Sequence, residues 1–140
     1  MAEDATKWVE AITRLTKLTQ EGKIEWSSAQ SRGVLANDEA QQIESAFLAD
    51  YKDKRLRIYK KRFKVEDPNP LFTGMMIQPF APKYPFWASQ IYLELIDNHG
   101  QNLWTFPEVS ALRDLLTAVK YQVSGVKDLL DDLLKDQAMA

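Results

Sequence analysis

The chain of 140 residues lacks cysteine and has one histidine and five glycines. Without cysteine it can form no disulfide, no thiolate nucleophile and no Cys-ligated metal site. The single histidine, His99, falls in a predicted turn and excludes any site built from two imidazoles. The few glycines form no phosphate-binding loop, and the carboxylates show no spacing typical of acid–base or metal chemistry. We therefore expect no enzymatic activity, no cofactor and no metal.

Long apolar runs are also missing. No segment approaches the roughly 20 apolar residues that a membrane-spanning helix needs. Residues 1–4 are acidic at positions 3 and 4 and show neither the basic region nor the apolar region of a signal peptide. These features predict a cytoplasmic protein without membrane association. The length favours a single domain over residues 1–140.

The spacing of the apolar residues predicts an α+β fold. Steps of three and four indicate helices, and alternation with period two indicates half-buried strands. The predicted elements are a helix over 4–21, strands over about 23–28, 45–51, 55–63, 90–97 and 102–106, and a helix over 107–135. Residues 29–44 are weakly patterned, and a short helix there is an open alternative. The expected architecture is an antiparallel sheet of about five strands with an N-terminal helix and a long C-terminal amphipathic helix.

The C-terminal helix carries a heptad seam. Thr105 and Glu108 have the spacing of a capping box, which predicts its start. The seam consists of Leu112, Leu116, Val119, Val123, Val126, Leu130 and Leu133, widened by Leu115, Leu129 and Leu134.

A continuous helix over 107–135 would be about 43 Å long, whereas a strand of five or six residues extends only about 17–20 Å. Part of the seam would then have no sheet beneath it. We expect a homodimer through Leu116, Val119, Val123, Val126, Leu130 and Leu133. Docking on a different protein, or a break near Gly125 that folds the end back, are the alternatives.

A second feature is the segregation of charge. The net charge is −2, but residues 52–64 contain eight basic residues and one acid, a net +7. The remaining ten basic and nineteen acidic residues give −9. Cations interleaved with aromatic rings are typical of surfaces that bind single-stranded nucleic acid. The residues expected to make such contacts are Arg55, Arg57, Tyr59, Lys61 and Arg62. Charged protection of an outer strand is the alternative explanation.

Five of the six prolines lie between residues 66 and 90, among several aromatic residues. Because proline lacks a backbone donor, this segment is expected to be an irregular connection with a short edge strand over 75–78. It is either a lid packed on the core or an exposed recognition patch containing Met75, Phe86 and Trp87. The sequence as a whole favours a non-catalytic adaptor or regulatory module that binds an unidentified protein. Single-stranded nucleic-acid binding is the second hypothesis.

Overall fold

The computed structural model describes residues 5–29, 41–77, 81 and 83–139. Its elements are α1 (Ala5–Gln20), β1 (Trp26–Ser28), β2 (Gln41–Tyr51), β3 (Lys54–Val65), α2 (Pro70–Gly74), β4 (Phe86–Ile96), β5 (Asn102–Thr105), α3 (Ala111–Ser124) and α4 (Val126–Met139). The fold is of the α+β class, as the apolar periodicity predicts. Along the chain, an antiparallel five-stranded sheet follows an N-terminal helix and precedes the C-terminal helices.

The described strands form a simple meander in the order β1-β2-β3-β4-β5. The long central pairings are β2 with β3 and β3 with β4. The turn between β2 and β3 falls at the predicted place, with Lys52 at a positive φ of 56°. The register with β3 shifts at a bulge between Ile43 and Ser45, where Glu44 is the extra residue of β2. An extra residue breaks the period-two pattern, which explains why β2 begins before the predicted residue 45.

The core lies on one face of the sheet, under α1 and α3. Its largest fully buried side chains include Ile12 of α1, Ile58 and Leu93 of the sheet, and Leu115 and Val119 of α3. Because side chains alternate along a strand, residues next to Ile58 and Leu93 in sequence point to the opposite face. The sheet therefore has a helix-covered face and an outer face.

Gln122 of α3 fastens the ends of three elements together. Its Oε1 accepts a hydrogen bond from the Trp26 backbone N–H at 2.7 Å. Its Nε2 donates to the carbonyl oxygens of Thr19 at 3.0 Å and Ile24 at 2.8 Å. One amide thus satisfies backbone groups at the end of α1 and the start of β1, where no regular element can do so.

Two elements begin later than predicted, and each delay has a structural cause. The Lys23 and Ile24 backbone N–H groups donate to the Leu18 carbonyl, so these residues complete the end of α1 and the strand begins only at Trp26. The predicted capping box is not used, since α3 begins at Ala111 with Ser110 as its N-cap. The chain instead stays extended after β5.

Phe106 is what keeps the chain extended. Its backbone N–H donates to the Leu93 carbonyl at 2.8 Å, and its ring meets Trp8 edge to face with centroids 5.4 Å apart. The carboxylate of Glu108 accepts a hydrogen bond from Gln90 Nε2 at 2.7 Å and does not cap the helix. Tertiary packing therefore overrides the local helix-start signal.

The connection after β3 also differs from the prediction. It contains the short helix α2, whose N-cap Asn69 accepts from the Phe72 N–H, with proline in the first turn. Residues 75–77 form a turn and a bend, so the predicted edge strand is wrong there, and residue 78 lies outside the described residues. The predicted alternative of a helix in 29–44 is wrong over 41–44, which belongs to β2, while 30–40 lie outside the described residues.

The C-terminal helix is broken at Gly125, where the alternative prediction places a break. Among the described residues, however, α4 makes little contact with any element except α3, so it does not fold back as that alternative expects. Gly125 has a φ of 72° in the left-handed region, which glycine adopts without the steric penalty that a Cβ brings. It ends α3, and α4 begins at the next residue. The seam is therefore divided between two helices of different direction.

Candidate functional site

The outer face of the sheet holds a buried polar cluster, formed by Arg57, Tyr59 and Glu94. Arg57 and Glu94 stand opposite each other on β3 and β4. Arg57 Nη2 lies 2.6 Å from Glu94 Oε1, and its Nε donates to the same oxygen at 2.8 Å. Tyr59 Oη donates to Glu94 Oε2 at 3.1 Å. All three residues are less than a tenth exposed, so this is an ion pair shielded from water.

The polar cluster also holds the turn after β4. Arg57 Nη1 donates to the Gly100 carbonyl oxygen at 3.0 Å. Burial raises the pKa of the Tyr59 hydroxyl, and the neighbouring Glu94 carboxylate raises it further. A neutral tyrosine donating to a paired carboxylate is a satisfied structural arrangement. The Arg57 guanidinium, the Tyr59 hydroxyl and the Glu94 carboxylate all form hydrogen bonds within the fold. The polar cluster therefore stabilises the sheet and does not direct these groups at a ligand.

Most cations of the basic strand are neutralised by acids from elsewhere in the chain. Glu44, the bulged residue of β2, lies between Lys60 at 3.7 Å and Arg62 at 3.4 Å. Arg55 pairs with Asp50 at 3.0 Å, and Lys64 lies 3.7 Å from Glu66. Four carboxylates therefore offset part of the net +7 of this segment. The acids that offset it belong to β2, to β4 and to the segment that follows β3.

The five residues predicted to contact nucleic acid lie on two faces of the sheet. Arg57 and Tyr59 are buried in the polar cluster and are not available to a polyanion. Lys61 is half-buried over the Tyr92 ring, with 5.8 Å from Nζ to the centroid. Arg62 points to the other face, where its guanidinium lies 5.0 Å from the centre of the Trp87 ring. Together with the half-buried Arg55, they do not form one continuous cationic and aromatic surface.

The predicted interface residues of the C-terminal helices fall into two groups. Leu116 and Val119 are buried in the chain's own core, so neither lies on a surface. Val123 and Val126 are half-buried at the junction of α3 and α4. Leu130 and Leu133, by contrast, are 44% and 56% exposed.

Leu129 and Leu134 extend this exposed area, and we name the set Leu129, Leu130, Leu133 and Leu134 the leucine face. Among the described residues, α3 is the only element with which α4 makes more than marginal contact. The leucine face is therefore an apolar stripe on a helix that projects from the body of the domain. Exposed apolar patches of this kind mark interaction sites.

Several of the described residues of the proline and aromatic segment are exposed, although Ala81 is buried. Met75 is 83% exposed, and Leu71 and Phe72 of α2 are exposed beside it. Phe86 and Trp87 belong to the start of β4 and are exposed by 44% and 38%. Tyr84 packs beside Phe86 with ring centroids 5.5 Å apart. The sequence did not indicate that the two aromatic residues lie on a strand.

Two open cavities lie beside the helices. One, of about 550 Å³, lies between Lys60, the Ser89–Ile91 stretch of β4 and the Glu108–Arg113 stretch that leads into α3. The other, of about 590 Å³, lies where α1 and α3 end, beside Tyr121 and Gln122. Both are open to solvent and form surface grooves.

The acidic side chains of the described residues show no grouping suited to a metal site, and one of them, Asp97, has a clear structural role. No group of three or more His, Asp or Glu residues among them could hold a metal ion. Asp97 Oδ1 accepts from the backbone N–H groups of Gln101 at 2.9 Å and His99 at 2.8 Å. These bonds lower the pKa of the Asp97 carboxyl and hold the turn before β5. The carboxylate thus stabilises the backbone of the turn.

No helix in the described part of the chain combines the length and the apolar character needed to cross a membrane. Comparison of the chain with protein-family models, with curated proteins and with solved structures gives no match. Sequence reasoning missed Glu94 and Glu44 as partners of the basic strand, because only the strand register brings them to it.

Proposed function

We propose that this chain is a non-catalytic protein-interaction module that forms a homodimer through α4. The observation that carries the proposal is the leucine face, four exposed leucines on one side of a helix that projects from the fold. A helix of this length is marginal in water unless it packs against something. We therefore expect the apolar side of α4 to pack against another surface.

A second copy of the chain supplies such a surface most directly. In a twofold dimer the same patch meets itself, so the partner's stripe is apolar over the same length. Within α4, Val126, Leu130 and Leu133 keep the three-and-four spacing with which paired helices interlock. The exposed Met75, Phe86 and Trp87 are the proposed contact residues for a further protein partner.

The oligomeric state tests the proposal. Sedimentation equilibrium at micromolar concentration should show twice the chain mass of 16.1 kDa. Leu130→Asp should produce monomer, whereas Leu71→Asp on α2, which charges another exposed leucine, should leave the dimer intact. A monomeric wild-type protein, or a dimer unaffected by Leu130→Asp, contradicts the proposal.

The alternative function is binding of single-stranded nucleic acid by the basic strand. It has less support, since Arg57 and Tyr59 are buried and four other cations lie beside carboxylates. Salt separates the two functions, because phosphate contacts weaken steeply with ionic strength and apolar association does not. The dimer should persist in about 0.5 M salt, where screening acts within a few ångströms.

A further inference from the structure

Within the described residues, the edge of β4 that faces away from β3 has no strand partner over its first half. β4 pairs with β3 from Phe86 to Ile96, but β5 covers it only from Glu94 to Ile96. The Leu93 carbonyl points away from β3, because it accepts from the Phe106 N–H. Backbone groups of an antiparallel strand alternate between its two sides. The backbone N–H and C=O groups of every second residue before Leu93 therefore also point away from β3.

These residues are Trp87, Ser89 and Ile91, which we name the β4 edge. Their outward N–H and C=O groups make no backbone hydrogen bond in the part of the chain that the structure describes. Trp87 and Ser89 are exposed and Ile91 is half-buried. A row of unpaired strand donors and acceptors is a template for an added strand.

The cavity of about 550 Å³ runs along this edge on the helix-covered side. Ile91, Val109 and Leu112 line it with apolar groups, and Lys60 and Arg113 supply two cations. Arg113 has no ion pair with a described residue, and Lys60 reaches Glu44 only at 3.7 Å. The carboxylate in the groove, Glu108, accepts from Gln90. The groove thus offers apolar contact and positive charge to side chains of an added strand.

We propose that the β4 edge binds an extended segment of a partner protein by strand addition, with an acidic side chain of that segment between Lys60 and Arg113. This inference rests on the proposed function as an interaction module and names the conformation and charge of its partner. A second copy does not fit, because its own β4 edge would bring a second Glu108–Arg113 stretch into the same groove. A single extended chain needs room for only a few side chains.

A fluorescence polarisation assay with a synthetic peptide tests the proposal. The probe is a short fluorescein-labelled peptide of alternating valine and threonine with one glutamate at its centre. We expect saturable binding with a Kd below about 1 mM, which is the weak end of specific association. A peptide with lysine in place of glutamate should bind at least tenfold more weakly. Arg113→Glu should reverse this preference.

Ser89→Pro tests the backbone contacts. The Ser89 N–H points away from β3, so proline blocks the β4 edge without removing a hydrogen bond of the central ladder. It should weaken binding at least tenfold, and the matched Ser89→Ala variant should bind like the wild type. A second test uses only the wild-type protein. A synthetic peptide that carries N-methyl groups on alternate backbone nitrogens should not bind to it.

Three results overturn the proposal: no saturation with the glutamate peptide, equal binding by Ser89→Pro when it is folded, or equal binding of the N-methylated peptide. The oligomeric state is measured separately. The Leu130→Asp variant should retain peptide binding, so loss of the dimer and loss of the peptide site can be told apart.

Discussion

Helices α3 and α4 continue one spacing of apolar residues, yet they have opposite environments. In α3 the seam lies in the core, where Leu116 is 4% exposed. In α4, one turn beyond Gly125, Leu130 of the same seam is ten times more exposed. The apolar pattern shows that each helix has a face to bury. It does not show whether that face is buried within the chain or against another molecule.

Tertiary contacts account for the difference. α3 packs on α1 and on strands β1 and β4, and Gln122 bonds to the backbone of neighbouring elements. The left-handed residue Gly125 then turns the chain, and α4 leaves the area that the sheet can cover. The comparison predicts that substitutions in α3 affect folding, while substitutions in α4 affect assembly.

The largest effect is expected from truncating the buried half of the seam. Leu116→Ala should lower the free energy of unfolding by about 2–5 kcal/mol, since it leaves a cavity in the core. Leu130→Ala, its matched control in α4, should cost much less in the folded monomer. Chemical denaturation measures both at a protein concentration low enough to dissociate the proposed dimer, because dimer formation adds to the apparent stability. Equal losses would show that the two halves are not in different environments.

The next largest effect concerns the anchor of α3. Gln122→Ala leaves the Trp26 N–H and the Ile24 and Thr19 carbonyl groups without this partner, at a cost of about 1–3 kcal/mol. Lys120→Ala, on the exposed side of the same helix, is the control and should be close to neutral. Thermal unfolding followed by circular dichroism compares them. A neutral Gln122→Ala would mean that water replaces the amide without loss.

The break between the helices is tested by Gly125→Ala. No atom lies within 4 Å of the position that a Cβ would take, so the cost comes from the backbone alone. A left-handed alanine should cost about 1–2 kcal/mol. Gly74→Ala is the control, because it has no positive φ and its Cβ position is also open. If alanine is tolerated at both positions, the left-handed conformation at Gly125 is not needed for the break.

The smallest effect is expected within α4 of a monomeric protein. In the Leu130→Asp background, Leu133→Ala should change the free energy of unfolding by less than about 0.5 kcal/mol, as for other exposed positions. Val123→Ala, half-buried at the end of α3, should cost more in the same background. Urea denaturation monitored by tryptophan fluorescence measures both. A large loss from Leu133→Ala would indicate that α4 packs on its own chain.

Local sequence patterns predicted the elements that local residue spacing is enough to specify. The alternation around Leu56 and Ile58 and around Leu93 predicted the central strands, because one face of the sheet is buried and the other is not. The Asn69–Pro70 pair carried a helix-start signal that was overlooked, because the helix that follows is very short. The capping box at Thr105 failed for a different reason, since the pairing of Phe106 with Leu93 competes with it.

The sequence by itself determined the fold class and the seam, because periodicity acts over a few residues, whereas it left the break at Gly125 as one of several alternatives. Only the tertiary structure decided that Arg57 is buried against Glu94, that Glu44 meets Lys60 and Arg62, and that α4 rather than α3 presents its leucines. Charge and apolar surface are properties of single residues. Their compensation and burial depend on strand register and helix packing, which join residues far apart in the chain.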